Sequence, residues 1–350
     1  MKRFLILAGL AVLASAVSSC DENGNLITPQ MDVDINSSSD VYAEDLLDLK
    51  SEAVAYDAPS NVYYVETSAS STLRGTVALS STPATLSGAL EINNAKLPES
   101  AQPKDGSLAQ GALVLILDNP ADEKVVASGK VEADDVKFNL PEFTVNSGSR
   151  EEFRFVSINS SEKLIPGATD NYVTLPEPGK ALDKGPSKIV VSDIVLSKPS
   201  TKAIAPAGGS YEFKVDAKYI APLIYTAGAK IHLNRTFTDL KISLDRVNYP
   251  CPEYDIIMDV ENTLPFDINF TVSSAEGIDG TLKNVIKAGS LENPVTTSVV
   301  LNVKDSSGKA VSNINTADLG VDLTAVEGAS LQKGQKLGLK VSKVTIIKVL

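Results

Sequence analysis

The sequence predicts an all-β chain built as two tandem antiparallel β-sandwich domains. Three observations carry that expectation. Short runs of β-branched, aromatic and aliphatic residues recur along the chain, among them Val62-Tyr63-Tyr64-Val65, Leu113 to Leu117, Phe153 to Val156, Tyr211 to Val215, Tyr254 to Met258, Phe266 to Val272 and Val299 to Val303. Several alternate with a period of two, as a strand with one buried face must. Turn chemistry separates them, as at Asn119-Pro120, Gly129, Pro176 to Gly179, Gly208-Gly209 and Ser306-Ser307-Gly308, and no amphipathic helical pattern intervenes.

The chain opens on a different kind of segment. Lys2 and Arg3 form a basic head, Phe4 to Ala14 an apolar run, and Val17-Ser18-Ser19-Cys20 a small-residue site ending in cysteine. Only about 11 to 16 residues are continuously apolar or small, against the ~20 that a membrane-spanning helix needs. The pattern is that of an export signal. With its terminal cysteine it resembles a bacterial lipobox, which implies diacylglycerol on the Cys20 thiol, cleavage between Ser19 and Cys20, and acylation of the new amino terminus. Ordinary cleavage after Ala16, leaving Cys20 a free thiol, is the alternative. Three acyl chains would hold the protein on a membrane stably. Asp21 and Glu22 follow directly. An aspartate there marks inner-membrane retention in enterobacterial lipoproteins, whereas an acidic pair resembles the surface-export signal of Bacteroidetes lipoproteins. The tryptophan-free, Asn/Ser/Thr/Asp-rich remainder resembles Bacteroidetes surface lipoproteins too. That resemblance implies an outer-membrane, surface-exposed protein, with a periplasm-facing one as the alternative.

Without residues 1–19, the 350-residue chain still has length for two ordinary domains, and 43% hydrophobic residues are enough for packed cores. The formal net charge of −12 becomes −14 once Lys2 and Arg3 leave with the signal. Such a surface repels phosphate backbones, which excludes nucleic acid as a partner. With Cys20 lipidated, Cys251 has no second cysteine in the chain, so the fold uses no disulfide. In Tyr249-Pro250-Cys251-Pro252 it reads as a packed thiol in an extended turn.

Residues 20–39 read as an acidic flexible stalk, with Asp32, Asp34, Asn36 and three serines but few large apolar side chains. Asp40 to Tyr56 contains a possible two-turn helix capped by Ser39 or Asp40. The domains are expected at 40–198 and 199–350, cut near Lys198-Pro199-Ser200, because the second half echoes the first. Ile189-x-Val191-Ser192-x-Ile194-x-Leu196 recurs as Leu339-x-Val341-Ser342-x-Val344-x-Ile346, and Leu90-x-Ile92 as Leu240-x-Ile242, both 150 residues later. The run ending in Asp118-Asn119-Pro120 matches the one ending in Glu261 to Pro265. Both copies of the last strand skip a residue in apolar phase, which means a bulge or a crossing between sheets. Ile189, Val191, Leu339 and Val341 are expected to face inward. Two domains of this length suit sandwiches of the immunoglobulin or fibronectin kind. Met258 to Val272 resembles the strand–turn–strand of late-embryogenesis-abundant (water-stress type) sandwiches, which implies fold rather than activity.

Chemistry-bearing motifs are sparse. The single histidine, His232, alternates with Ile231 and Leu233 and is expected on the solvent side of a strand. No nucleophile elbow, zinc-protease helix or phosphate-binding loop occurs. Asp32-x-Asp34-x-Asn36 and Asp21-x-Asn23-x-Asn25 imitate the start of a calcium loop but lack its glycine. Tyr63, Tyr64, Tyr211, Tyr219 and Tyr225 read as packed strand tyrosines before ligand contacts. The expectation is therefore a non-catalytic, cofactor-free and metal-free lipoprotein of the cell envelope, attached through Cys20 and serving in binding, adhesion or surface assembly with a protein or glycan partner. Its variants are a subunit of a surface fibre, for which Arg74 before Gly75 would be the processing site that the resemblance to Bacteroidetes fimbrial subunits implies, and a glycan-binding accessory protein. The rival class is a hydrolase working through carboxylates alone, since 44 acidic residues offer many pairs.

Overall fold

The computed structural model describes residues 32–78, 83–95, 97–157, 163–167, 170–199, 210–237, 242–243, 253–274, 277–305, 313–314 and 317–348. The described residues are all-β apart from short helical turns. It forms two compact units, one of residues 50–226 and one of residues 1–49 with 227–350. The first is thus inserted in the chain of the second.

The split unit begins with β1 (Asp32–Tyr42) and a single helical turn, α1 (Ala43–Leu46). The inserted unit follows with β2 (Val54–Asp57), β3 (Val62–Ser68), β4 (Leu73–Ala78), β5 (Ala84–Asn93), β6 (Ala112–Asn119), β7 (Val125–Ala133) and β8 (Val136–Val145). It continues through β9 (Ser149–Val156), β10 (Tyr172–Thr174), β11 (Lys188–Ser197), β12 (Ser210–Pro222) and β13 (Ile224–Tyr225). The split unit resumes with β14 (Lys230–Phe237), β15 (Ile242–Ser243), β16 (Glu253–Asn262), β17 (Phe266–Ser274) and β18 (Ile278–Leu282). It ends in β19 (Val295–Asp305), β20 (Asn313–Ile314), β21 (Ala317–Ala325), β22 (Ala329–Ser330) and β23 (Lys336–Lys348).

Both units use one strand order. In the inserted unit β12 lies between β6 and the broken strand β3/β4, with β9 beyond β6, while β5-β11-β7-β8 form the second sheet. In the split unit β1-β23-β16-β19 repeats the first order and β18-β17-β21-β14 the second, joined into one sheet where β18 pairs with β19. Successive principal strands change sheets at every step but one, β7 to β8 or β17 to β18. That is the order of an eight-stranded jelly roll. The antiparallel sandwich class holds, and the connectivity is a jelly roll rather than the immunoglobulin or fibronectin kind.

Three expectations need correction. The domain cut lies at 226/227 and not near Lys198-Pro199-Ser200, so neither 40–198 nor 199–350 is a unit. The cause is β12, which pairs with β6 on one side and with β3 and β4 on the other, burying Phe213, Val215, Ala217 and Tyr219. Nor are residues 20–39 stalk throughout. From Asp32 onward they belong to β1, antiparallel to β23 from Asp32↔Thr345 to Tyr42↔Lys336. A sheet edge offers unpaired backbone groups, and a polar segment satisfies them as well as an apolar one. Finally, the helix is one turn, with Tyr42 at its N-cap and no side-chain cap from Ser39 or Asp40.

The phase break in the last strands is a bulge in both copies. Register shifts between Ser192 and Ile194 in β11, where Asp193 takes φ 49°, and Ser342 is passed over in the pairing of β23 with both β1 and β16. The two strands nevertheless hold different places: β11 lies between β5 and β7, and the counterpart of β23 is β12. The 150-residue offset therefore does not superpose the sandwiches. Ile189, Val191 and Val341 are buried, and Leu339 is only half-buried. In the inserted unit Phe143 of β8 packs on Phe153 and Phe155 of β9, with ring centroids 4.7 and 5.2 Å apart. In the split unit Ile231, Ile256, Val260, Phe266, Leu323 and Val341 fill the corresponding core.

Candidate functional site

Cys20, Asp21, Glu22 and Cys251 lie outside the described residues. His232 lies on β14 between buried Ile231 and Leu233 and faces outward, as the alternation requires. Its Nδ1 is 2.6 Å from Oδ1 of Asp322, the residue directly opposite on β21, and Asn269 of β17 continues the row. Among the described residues no group of three or more His, Cys, Asp or Glu side chains is placed to hold a metal ion. Asp32 to Asn36 are strand backbone, not a calcium loop. Arg74 and Gly75 sit within the β4–β12 ladder, where Arg74 faces Lys214 and Gly75 faces Phe213.

Among the described residues, a groove able to receive a small ligand lies on the outer face of the inserted unit. There β12 pairs with β4 as far as Val215↔Leu73 and with β3 from Lys218↔Ser68, so the partner strand is interrupted beside Asp216 and Ala217. Ser68-Ala69-Ser70-Ser71-Thr72 loops out across the gap, tied by Ala69 N–H to the Ala217 carbonyl at 2.8 Å. The result is an open groove of about 400 Å³, lined by that loop with Ile116, Asp216, Ala217 and Lys218.

Strand periodicity sets the chemistry around it. Arg150, Glu152 and Arg154 of β9 and Lys214, Asp216 and Lys218 of β12 alternate basic, acidic, basic on one face. Ile116 of β6 stands between the rows, directly opposite Glu152 on one side and Asp216 on the other. Asp216 accepts from Thr72 Oγ1 at 2.5 Å and from Arg150 Nη2 at 3.1 Å. Lys218 Nζ stands 3.8 Å from both Glu66 Oε2 and Glu152 Oε2, outside hydrogen-bond reach of either. Ile116 also packs on a small second core of Ala112, Val114, Val156, Ile165 and Ile220 on the same face. Buried Arg154 secures Ile165 by donating to its carbonyl at 2.8 Å while holding Glu152 at 3.0 Å. The sequence reading missed this site. Its signal was the pair of basic-acidic-basic alternations, but the gap depends on which strands share β12.

A second polar cluster is structural. The 3₁₀ segment Glu177–Lys184 is held against the first sheet by Gly111 N–H donating to Asp183 Oδ1 at 2.7 Å and by the Tyr219 hydroxyl donating to the Leu182 carbonyl at 2.7 Å. Burial pushes the Asp183 carboxyl up to about 6, against the opposing influence of Ser157, Gly111 and Lys180. Tyr225 likewise donates to the Ala101 carbonyl at 2.9 Å. Tyr219 and Tyr225 are core residues, and burial raises both phenols above their ordinary range.

No family model and no curated protein matches this chain. Among solved structures, a Parabacteroides distasonis protein presumed to be secreted is 16% identical, with a TM-score of 0.55 over 87% of this chain and 99% of that one. At that identity the likeness shows the fold alone. Infectious bursal disease virus (Gx strain) is 7% identical with a TM-score of 0.24 over 81% of this chain and 42% of that one, and carries no argument.

Proposed function

We propose that this chain is a non-catalytic cell-envelope protein, lipid-anchored through Cys20, that displays two jelly-roll units for binding or surface assembly. The observation that carries the reading is the segment Met1 to Cys20, a basic head, short apolar run and small residues ending in cysteine. Asp21 and Glu22 direct the protein to the outer membrane, and the P. distasonis likeness is in keeping with a place outside the cytoplasm. No helix among the described residues is long and apolar enough to cross a membrane. The groove beside Asp216 supplies a binding surface.

The test is Cys20→Ser in the native host. The parent should incorporate labelled palmitate and fractionate with the outer membrane, and the variant should do neither. A variant that labels and fractionates like the parent would refute the anchor. Protease added to intact cells should reach the exposed loops. Protection until lysis would place the protein on the periplasmic side.

A further inference from the structure

We propose that the groove between the Ser68–Thr72 loop and Asp216 binds a neutral saccharide. This deepens the reading of the chain as a binding protein and rests on it. The argument starts from charge. The cations Arg74, Arg150, Arg154, Lys214 and Lys218 around the groove are matched by Glu66, Asp118, Glu152, Glu212 and Asp216 on the same face. Many are already engaged: Arg150 with Asp216, Arg154 with Glu152, and Arg74 with Glu212 at 3.9 Å. A charged ligand must compete with these pairs or sit beside a like charge already on the face. A neutral ligand need not.

The available hydrogen-bonding groups then select among neutral ligands. Ser68, Ser70 and Ser71 bring three hydroxyls, each able to donate and accept, and Thr72, whose hydrogen is on Asp216, a fourth that accepts. Lys218 brings donors that neither neighbouring carboxylate takes up, and Asp216 brings acceptor capacity beyond its two bonds. Adjacent sugar hydroxyls donate and accept in turn and can bridge such mixed sets. Ile116, Ala69 and Ala217 supply the apolar patch on which the C–H face of a sugar ring rests. The volume suits a mono- or disaccharide, at the small end of ligand sites. Without an aromatic platform in the groove, affinity is set at a dissociation constant on the order of 1 mM, the range of a few hydrogen bonds in an open site.

The test uses the full mature chain, labelled with ¹⁵N and titrated with lactose, maltose, cellobiose and N,N′-diacetylchitobiose, with galacturonate and a sulfated disaccharide as charged controls. At least one neutral sugar should shift the backbone amides of residues 68–72 and 216–218, with little dependence on salt. Asp216→Ala should weaken that binding about tenfold. Ser71→Trp, which fills the groove from an exposed loop position outside the strand ladders, should abolish it. The proposal is overturned by no shift up to about 50 mM of any neutral sugar, well above the expected range. It is equally overturned by salt-sensitive binding of the charged controls alone, by shifts mapping elsewhere, or by binding that survives Ser71→Trp. None of these outcomes touches palmitate labelling at Cys20, so failure of the ligand assignment and failure of the anchor are read separately.

Discussion

Asn119 and Asn262 form the same buried turn, one in each sandwich. Both are fully buried at the end of a strand. Each accepts the backbone N–H two residues on, Asn119 from Ala121 at 3.1 Å and Asn262 from Leu264 at 2.7 Å. Each donates through Nδ2 to the carbonyl four residues on, Glu123 and Phe266, at 3.0 Å in both cases. Each also reaches a distant segment, Asn146 at 2.9 Å and Lys287 at 2.8 Å. The amide thus ties the chain reversal to a neighbouring strand or loop.

Replacing Asn119 by alanine removes four hydrogen bonds and replacing Asn262 removes three, leaving buried and part-buried backbone groups without their partner. A loss of roughly 2–4 kcal/mol is expected, from net bond values near 1 kcal/mol plus the desolvation left behind. Asn119→Ala should lower the melting of the inserted unit alone and Asn262→Ala that of the split unit alone. Calorimetry of the full chain checks this, and equal effects on both transitions would contradict it.

Two glycines should show the same separation. A Cβ at Gly111 would lie 2.2 Å from the Leu182 carbonyl oxygen, and one at Gly289 would lie 2.0 Å from that of Asn262. Backbone cannot retreat as a flexible side chain can, so alanine at either site should cost about 3 kcal/mol or more by overpacking. Limited proteolysis of Gly289→Ala should leave residues 50–226 resistant while the split unit is cut.

Acid should act oppositely through two carboxylates, one in each unit. Asp183 is raised to about 6 by burial, so its contribution to stability is fully present below the unfolded value of 3.8 and is lost as pH rises through about 6. The shift corresponds to roughly 3 kcal/mol. Asp183→Asn should therefore gain stability over the parent as pH rises from 4 to 7, with the difference flat above. Asp267 of the split unit behaves the other way. Burial opposes its ionisation, but the Lys287 ammonium and Ala288 N–H outweigh that and hold it below the usual carboxylate range. Its contribution is present above the unfolded value and fades in acid. Denaturant titrations at several pH values, parent against variant, give the sign directly.

The His232–Asp322 pair lies on an exposed sheet face, with Asp322 more than half accessible. Exposed pairs are worth little. His232→Ala should change the melting of the split unit by less than the error of a cap or core substitution, and a larger loss would mean the row with Asn269 does more than cover the surface.

Strand content was legible from local alternation, because burial of one face is written into every second residue. The outward face of His232 and the bulges at Asp193 and Ser342 followed from the same rule. The match between the Asn119 and Asn262 runs was also readable, since an amide before a reversal has local chemistry. What could not be read was partnership. Ser37 to Ser39 carry no apolar signal, yet they pair with Val341, Lys340 and Leu339 some 300 positions away. The assignment of β12 to the earlier unit, and with it the gap that makes the groove, is likewise decided by ladders between distant residues. Similar last-strand patterns in β11 and β23 even pointed to the wrong pairing of the two sandwiches.

The insertion of one unit within the other fixes how a mechanical load would travel. Tension between the N-terminal side of Asp32 and a ligand held beside Asp216 runs through the β1 backbone and α1 straight into residues 50–226. Residues 227–350 are not on that covalent route. They grip it from the side, through the ladder of β1 on β23. Stripping β1 from that ladder would free the 11 residues of β1 and the four of α1, and unravelling the rest of the split unit would add nothing to the covalent route. The length that the split unit can add to this route is therefore bounded by β1 and α1, whatever happens to its other strands.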